Sequence, residues 1–365
     1  MDEPPTDVGS TPQRIALPGV ARARFERVAA LCNDSSDDRV RIQPAYSFKT
    51  NPSELLVRLA REHGLRAEVI SIDEWRWARE CGFGSDAIIY NGPEPLAVDG
   101  HAEGVDIVFA DSVEAFARNA AAHAARLPGI RLRPSMIASR FGVPVDDDEL
   151  LATAVRASGS RELAVSMHVR REDCHAVSWL DVCIDVLSRA QRLAAQTATA
   201  IRVFDAGGGW EPDAFDTSFQ SEAQQLHAAV ARMLPDAREV LVEPGQAIAT
   251  PTEALVARVV EVRHRPGRRE AILDIGYNDW PQQHSYVHRL FVARAGRWVA
   301  LTPGADRLGG KTCLEYDVLD GIAFPDDIAP GDLMLVADVG SYDSSMSFRF
   351  ARAQRAIPKS SGSAA

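Results

Sequence analysis

The chain has 365 residues, with 40 Lys and Arg against 51 Asp and Glu, a formal net charge of −11 at pH 7, and 46% hydrophobic and 25% charged residues. That acidic balance excludes a nucleic-acid or anionic-membrane partner, since both need a basic face, and the length allows two domains or one large barrel with an addition. No apolar run approaches the roughly 20 residues that span a bilayer, and five scattered cysteines (Cys32, Cys81, Cys174, Cys183, Cys313) without a CxxC point to reduced thiols, with neither a disulfide scaffold nor a metal site.

The acidic, proline-containing start MDEPPTDVGSTPQ lacks the basic then apolar opening of a signal peptide. A cytoplasmic protein is therefore expected, with residues 1–28 flexible or joined to a later β domain. Eight apolar, strand-like runs follow: IQPAYSFK (42–49), AEVIS (67–71), AIIYNG (87–92), VDIVFA (105–110), IRLRPSM (130–136), ELAVSMHV (162–169), IRVFDAGGG (201–209) and EVLVEPG (239–245). Amphipathic stretches such as 53–64, 71–82 and 112–127 alternate with them, apolar at helical spacing. Eight strand–helix units predict an α/β fold, a (β/α)8 TIM-like barrel over 29–248.

From about residue 249 the rhythm changes to strands separated by turn-rich segments: ALVARVVEVRHR, EAILDIGY, RLFVARAGRWVAL and DLMLVADVG. This predicts an antiparallel β-sandwich or barrel domain over 249–352 and a small, polar, disordered tail over 353–365.

In such barrels chemistry sits at the C-terminal ends of the strands. Lys49 ends the first run, where Thr-Asn-Pro holds it. Ser71 and Glu74 follow the second, Arg133 lies within the fifth, His168 ends the sixth, Gly207 to Gly209 the seventh and Glu243 the eighth. A solvated surface would scatter such residues, whereas here they gather at strand ends.

The order YSFKTNP, SIDEW, RLRPSMIASRFGV, HV, FDAGGGW, VEPGQ, DIGYND, GGKTCLEYD and GDLMLVADVGSYDSSM resembles the fold-type III pyridoxal-phosphate decarboxylases, the ornithine, arginine and diaminopimelate enzymes on an alanine-racemase-like barrel. The resemblance covers residues from about 30 to about 350. It implies pyridoxal 5′-phosphate as cofactor, a Schiff base on Lys49 that the substrate amine displaces, and Glu243 paired with the pyridine nitrogen. It also implies Gly207, Gly208, Gly209 and Tyr342 at the phosphate and His168 stacked over the ring. Glu68, Arg133, Gly245 and Gln246 would stand around the cofactor.

Cys313 matches a cysteine that relatives contribute from the neighbouring subunit to protonate the carbanion left by CO2. A homodimer with shared sites is thereby implied, acting on a small amino-acid-like substrate. Arg171, Tyr286, Cys313, Leu314, Glu315 and Asp317 are candidates for contacting that substrate.

The pattern departs from the family in four places. Gln246 replaces a common arginine, and HVRR replaces H-x-G-S. Arg171 is open to three readings: it takes over phosphate binding, it receives a distal carboxylate of the substrate, or it or its neighbour Arg170 faces solvent. ASRFGV stands where relatives write SKFG, leaving the roles of Ser139 and Arg140 open. Leu314 replaces the carboxylate expected to read the distal ammonium of diaminopimelate. The chain therefore reads as a diverged decarboxylase of an amino acid or amino-acid conjugate in a secondary-metabolite or siderophore pathway. A racemase on the same fold and a non-catalytic cofactor-binding or regulatory homologue are the alternatives; Cys313 and Asp317 favour decarboxylation over racemisation.

Overall fold

The computed structural model describes residues 4–6, 8–37, 39–94, 105–174, 176–350 and 359–360. Strand β1 (Gln13–Ala16) and helix α1 (Pro18–Asp34) open the chain. Two compact units follow from its contacts: Arg24–Ala247, and the described residues of Met1–Ala23 with Ile248–Ala365.

The unit Arg24–Ala247 is a closed barrel of eight parallel strands. They are β2 (Arg41–Ser47), β3 (Arg66–Val69), β4 (Ile88–Tyr90), β5 (Ile107–Ala110), β6 (Leu127–Arg131), β7 (Glu162–Ser166), β8 (Ala200–Gly208) and β9 (Glu239–Glu243). Pairing of Arg41 to Pro44 with Glu239 to Val242 closes the ring. Covered on both faces, parallel strands read as continuous apolar runs. Their inward residues Ala45, Ile89, Ile107, Phe109, Leu127, Ala164, Val203 and Leu241 form one cluster that fills the barrel.

The helices between them are α2 (Glu54–Glu62), α3 (Ile72–Glu80), α4 (Val113–Ala121), α5 (Asp148–Ser158), α6 (Trp179–Thr197) and α7 (Pro212–Met233), with a short α8 (Gly245–Ala249) after the last strand. Leu56, Val57, Leu59 and Ala60 bury one face of α2. Ser71 and Ser112 accept the N–H groups of Glu74 and Ala115 to cap α3 and α4, and Ser178 with Asp181 forms a capping box on α6. No helix among the described residues is long and apolar enough to cross a membrane.

Strand β6 lies earlier than the expected 130–136, and α4 ends at Ala121 rather than near 127. Pro128 and Gly129 disguise the strand, yet Gly129 is required there, because a Cβ would come within 2.6 Å of the Phe109 ring. Arg133 therefore sits beyond the strand end, not within it.

The second unit is a nine-stranded sheet. It contains β10 (Glu253–Arg265), β11 (Arg268–Leu273), β12 (Leu290–Arg294), β13 (Arg297–Ala300), β14 (Thr302–Gly309), β15 (Val318–Ala323), β16 (Leu333–Val336) and β17 (Lys359–Ser360), together with β1. The long β10 changes register between Val259 and Glu261; its first part pairs β1 and β16, and its last part pairs β11. Leu255, Val259, Leu273, Trp280, Val292 and Met334 form part of its core.

The expected antiparallel domain is in fact mixed, because β11 pairs β14, and β1 pairs β17, in parallel. Nor is the start of the chain simply a flexible arm. β1 adds to β10 as an antiparallel edge, with Ile15 buried among Ala254, Val256 and Leu335, and Trp298 Nε1 donates to the Pro4 carbonyl at 2.7 Å. Of the tail expected over 353–365, all but Lys359–Ser360 lies outside the described residues.

Candidate active site

After β2 the chain turns sharply, with Thr50 N–H bonded to the Ser47 carbonyl and Phe48 N–H to that of Glu68. Asn51 Oδ1 accepts the Ser53 N–H, and Tyr46 hydroxyl donates to the Asn51 carbonyl at 2.8 Å. This frame explains Thr-Asn-Pro after the lysine: it fixes a turn whose exposed member is Lys49. The side chain is about one quarter exposed, and Nζ donates to both oxygens of Glu68, at 2.8 and 3.0 Å. Glu68 is fully buried on the neighbouring β3, where Ser47 hydroxyl also donates to it. Burial raises its carboxyl above the ordinary range, against the pull of the Lys49 charge.

Glu243 ends β9 and is buried. His168 Nδ1 lies 3.2 Å from its Oε2, and Asn91 Nδ2 is 3.4 Å from its Oε1. Burial alone would raise this carboxyl, but the neighbouring His168 ring and the Lys49 charge outweigh it and hold it below the ordinary range. Asp205, buried on β8, accepts the Gly207 N–H at 2.9 Å. Glu68, Asp205 and Glu243 thus gather three buried carboxyls at the C-terminal end of the barrel around Lys49 and His168. Such an arrangement is electrostatically suited to a further positive group.

The glycines of β8 are sterically obligatory. Gly207 has φ +68°, and a Cβ there would lie 2.7 Å from His168 Nδ1 and 2.8 Å from the Met167 carbonyl; one at Gly208 would lie 2.2 Å from the Glu243 carbonyl. Gly209, at φ +93°, shares the requirement. Gly245 packs against Thr50, tying the end of β9 to the Lys49 turn. Gln246 is half-buried and makes no hydrogen bond among the described residues.

Beyond β6, Arg131 donates to the His168 carbonyl at 3.1 Å, and Arg131 and Arg140 lie over the Phe141 ring, 4.9 and 4.0 Å from its centroid. Arg133 Nε approaches the Phe141 carbonyl at 3.4 Å and lines, with Arg140, a cavity of about 480 Å³. Its own carbonyl accepts from Arg189, a buried residue of α6 that also holds the Val143 and Pro144 carbonyls and Asp148.

The two terminal nitrogens of Arg171 form a fork on Glu222 of α7, and its guanidinium lies over the rings of Trp179 and Trp210, 4.7 and 4.6 Å from their centroids. Trp210 Nε1 donates to the same carboxylate at 3.0 Å. These partners favour a role in packing α6 against α7 over contact with phosphate or substrate. Arg170 pairs with Asp173 in an exposed position.

In the sheet unit, Tyr342 takes a left-handed conformation, φ +62°, and its ring stacks on that of Tyr286 at 6.2 Å. Cys313 and Glu315 are exposed and Leu314 is half-buried. Asp317 is buried and accepts from Tyr277 N–H at 2.7 Å, Thr312 N–H at 3.0 Å and Thr312 hydroxyl. Those three bonds hold the carboxylate in shaping the Cys313 loop and leave it room for one further donor.

Sequence reasoning missed Asn91, Arg131, Asp205, Glu222 and Arg189. Asp205 and Arg131 had a signal, since one stands two residues before the glycine run and the other opens RLRPSMIASRFGV; Asn91, Glu222 and Arg189 lie outside any quoted family motif.

A (β/α)8 barrel with a lysine and three buried carboxyls at the catalytic ends of its strands is the frame of an enzyme. Residues 22–250 match the family described as pyridoxal-dependent decarboxylase, pyridoxal binding domain. The diaminopimelate decarboxylase of Deinococcus radiodurans is 25% identical over 320 residues, covering 83% of this chain and 79% of its own length. A lysine/ornithine decarboxylase of Selenomonas ruminantium is 24% identical over 318 residues, covering 84% and 80%. Among solved structures, the arginine decarboxylase of Paramecium bursaria Chlorella virus superposes with a TM-score of 0.77 at 17% identity, covering 94% of this chain and 95% of that one. Diaminopimelate decarboxylase from Helicobacter pylori does so with 0.77 at 19%, covering 94% and 89%. The chain belongs to the pyridoxal-dependent decarboxylase family, fold-type III amino-acid carboxy-lyases that use pyridoxal phosphate.

Proposed function

We propose that this enzyme converts an amino acid or amino-acid conjugate to the corresponding amine in a secondary-metabolite or siderophore pathway, working as a homodimer with shared sites. The observation that carries the reading of the site is Lys49 Nζ, aimed at the open end of the barrel and held by both oxygens of buried Glu68. Bound pyridoxal phosphate supplies an aldehyde to take up an amine and a ring to store the electron pair released with CO2.

The donor set fits that group. Lys49 is the amine that reaches the aldehyde, and Glu68 is placed to take up or return its proton. Glu243 presents a buried anion to the ring nitrogen, held by His168, which covers a ring face. Backbone N–H groups of Gly208 and Gly209 would hold the phosphate where no Cβ intervenes, while the Gly207 N–H is taken by Asp205. Arg133, Gly245 and Gln246 would complete the barrel's part of the surround.

Cys313 is the proton donor to the α-carbon, delivered to the partner's barrel. Its exposure supports this, as does the apolar patch near it: Tyr277 packs on Tyr316 and Phe348, at 4.8 and 6.2 Å, and Tyr316, Met346, Phe348 and Phe350 are exposed. An exposed patch of this kind suits a second copy of the chain. Leu314 offers no charge to a distal ammonium, which favours a substrate other than diaminopimelate.

Borohydride reduction followed by peptide mass spectrometry tests the lysine, with a reduced cofactor adduct expected on Lys49 alone. CO2 release measured across diaminopimelate, lysine, ornithine, arginine and their conjugates tests the substrate. Fastest turnover of free diaminopimelate would overturn the pathway assignment.

A further inference from the structure

Asp205 and Glu243 stand on the neighbouring strands β8 and β9, exposed by 1% and 3%. Gly208, three residues after Asp205, pairs with Glu243, so the two carboxyls share the C-terminal end of the barrel, where each acts on the other electrostatically. Yet neither can donate if both are ionised. Asp205 Oδ1 accepts from Gly207 N–H, whereas Oδ2 is buried and meets no donor among the described residues. Glu243 Oε2 is equally buried and lacks a well-formed hydrogen bond, although His168 Nδ1 lies 3.2 Å away. Two neighbouring buried acceptors, each short of a donor, would both be satisfied by one proton between them, as when two carboxyls share a site.

The surroundings decide which group holds the proton. Glu243 has His168 at 3.2 Å, Asn91 at 3.4 Å and the Lys49 charge to stabilise an anion. Asp205 has a single backbone N–H and faces the negative charges of Glu243 and Glu68. We propose that Asp205 is a neutral carboxylic acid whose O–H donates to Glu243, a positioning residue that fixes the Glu243 carboxylate and leaves one negative charge there for the cofactor nitrogen. Burial, with the Glu243 charge second, pushes the Asp205 carboxyl well above the ordinary range, in agreement with this assignment.

The neutral form matters because a second anion would compete with the ring for the proton that Glu243 is there to hold. It also defines what can replace Asp205. An asparagine reproduces both functions of the acid, its oxygen accepting from Gly207 and its NH2 donating to Glu243, while alanine reproduces neither. The proposal rests on the reading of Glu243 as the partner of the ring nitrogen, but the protonation of Asp205 is measurable without any cofactor.

Infrared difference spectra of apoprotein at about pH 8, above the ordinary carboxylate range, provide the test. Wild type minus Asp205→Asn should show loss of a protonated-carboxyl band with no carboxylate band lost. Glu243→Gln should remove or shift the same band, because the acceptor of the Asp205 O–H becomes an amide. Loss of a carboxylate band in Asp205→Asn overturns the proposal, as does an unshifted protonated band in Glu243→Gln. In the cofactor-loaded enzyme, Asp205→Asn should bind pyridoxal phosphate about tenfold more tightly than Asp205→Ala; equal affinities would remove the positioning role. Absence of a reduced adduct at Lys49 in the wild type would instead overturn the cofactor geometry, leaving the infrared result to stand or fall separately.

Discussion

Lys49 on the β2 turn and Glu68 on β3 form a two-point contact, 2.8 and 3.0 Å, in which the lysine is partly exposed and the carboxylate wholly buried. The acid therefore fixes where the amine points. Lys49→Ala should abolish the borohydride-trapped adduct and cut turnover by about a thousandfold or more. Glu68→Gln should retain the adduct but form it more slowly, because the amide positions Nζ without exchanging a proton; stopped-flow absorbance on adding cofactor to apoenzyme measures the difference.

Glu74 carries a pH signature. Burial, with the nearby Glu68 charge, lifts its carboxyl from 4.5 to about 7, despite the hydrogen bond it accepts from Ile70 N–H. Between those values the folded chain keeps a proton that the unfolded chain releases, so this group's contribution to stability falls as pH rises through the window and levels off above it. Glu74→Gln keeps an acceptor for Ile70 and should flatten that slope, stabilising apoprotein above neutrality by about 1 kcal/mol after allowance for partial exposure. Urea melts of both proteins across the window measure it.

The fork of Arg171 on Glu222 between two indoles predicts a stability defect rather than a binding defect. Arg171→Lys keeps the charge but loses the second hydrogen bond and the planar stacking, and should cost about 1–3 kcal/mol. Cofactor affinity measured well below the melting temperature should change less than twofold. A tenfold loss of affinity with an unchanged melt would return Arg171 to the ligand set.

These cases show what was legible in the sequence. Eight apolar runs announced the barrel because both faces of its strands are covered, and Lys49, His168 and Glu243 declared themselves by ending such runs. Glu68 was named as a cofactor neighbour, but only the register Ser47 to Glu68 reveals that it holds the lysine. The partner of Arg171 was not legible because it lies 51 residues away on α7, a separation that no motif encodes. Asp317 is a related case: an aspartate in a loop near a candidate catalytic cysteine resembles a substrate ligand, and its backbone donors show only in the structure. Strand β6 was displaced because the Gly129 that breaks its apolar pattern is demanded by Phe109 on the next strand.

Gly207→Ala tests the packing of the β8 end. The new methyl would meet His168 Nδ1 at 2.7 Å and the Met167 carbonyl at 2.8 Å, from a backbone at φ +68°. The carbonyl cannot withdraw without moving β7, so a loss of about 2 kcal/mol or more is expected in thermal or urea unfolding. His168 should be displaced as well, so cofactor affinity should fall with stability. An unchanged melt would show that the strand end yields more readily than its contacts indicate.

Cys313 is exposed on its own chain, so Cys313→Ala should fold with stability within about 0.5 kcal/mol of wild type. It should also retain the cofactor at Lys49 while turnover falls or the product ratio changes. If the cysteine serves the partner's barrel, inactive Lys49→Ala and impaired Cys313→Ala complement one another when mixed. Random exchange makes half the dimers mixed, each with one intact site, so activity should recover to about a quarter of wild type. Sites contained within a single chain predict no recovery in the same mixture, because every barrel would then lack either its lysine or its cysteine.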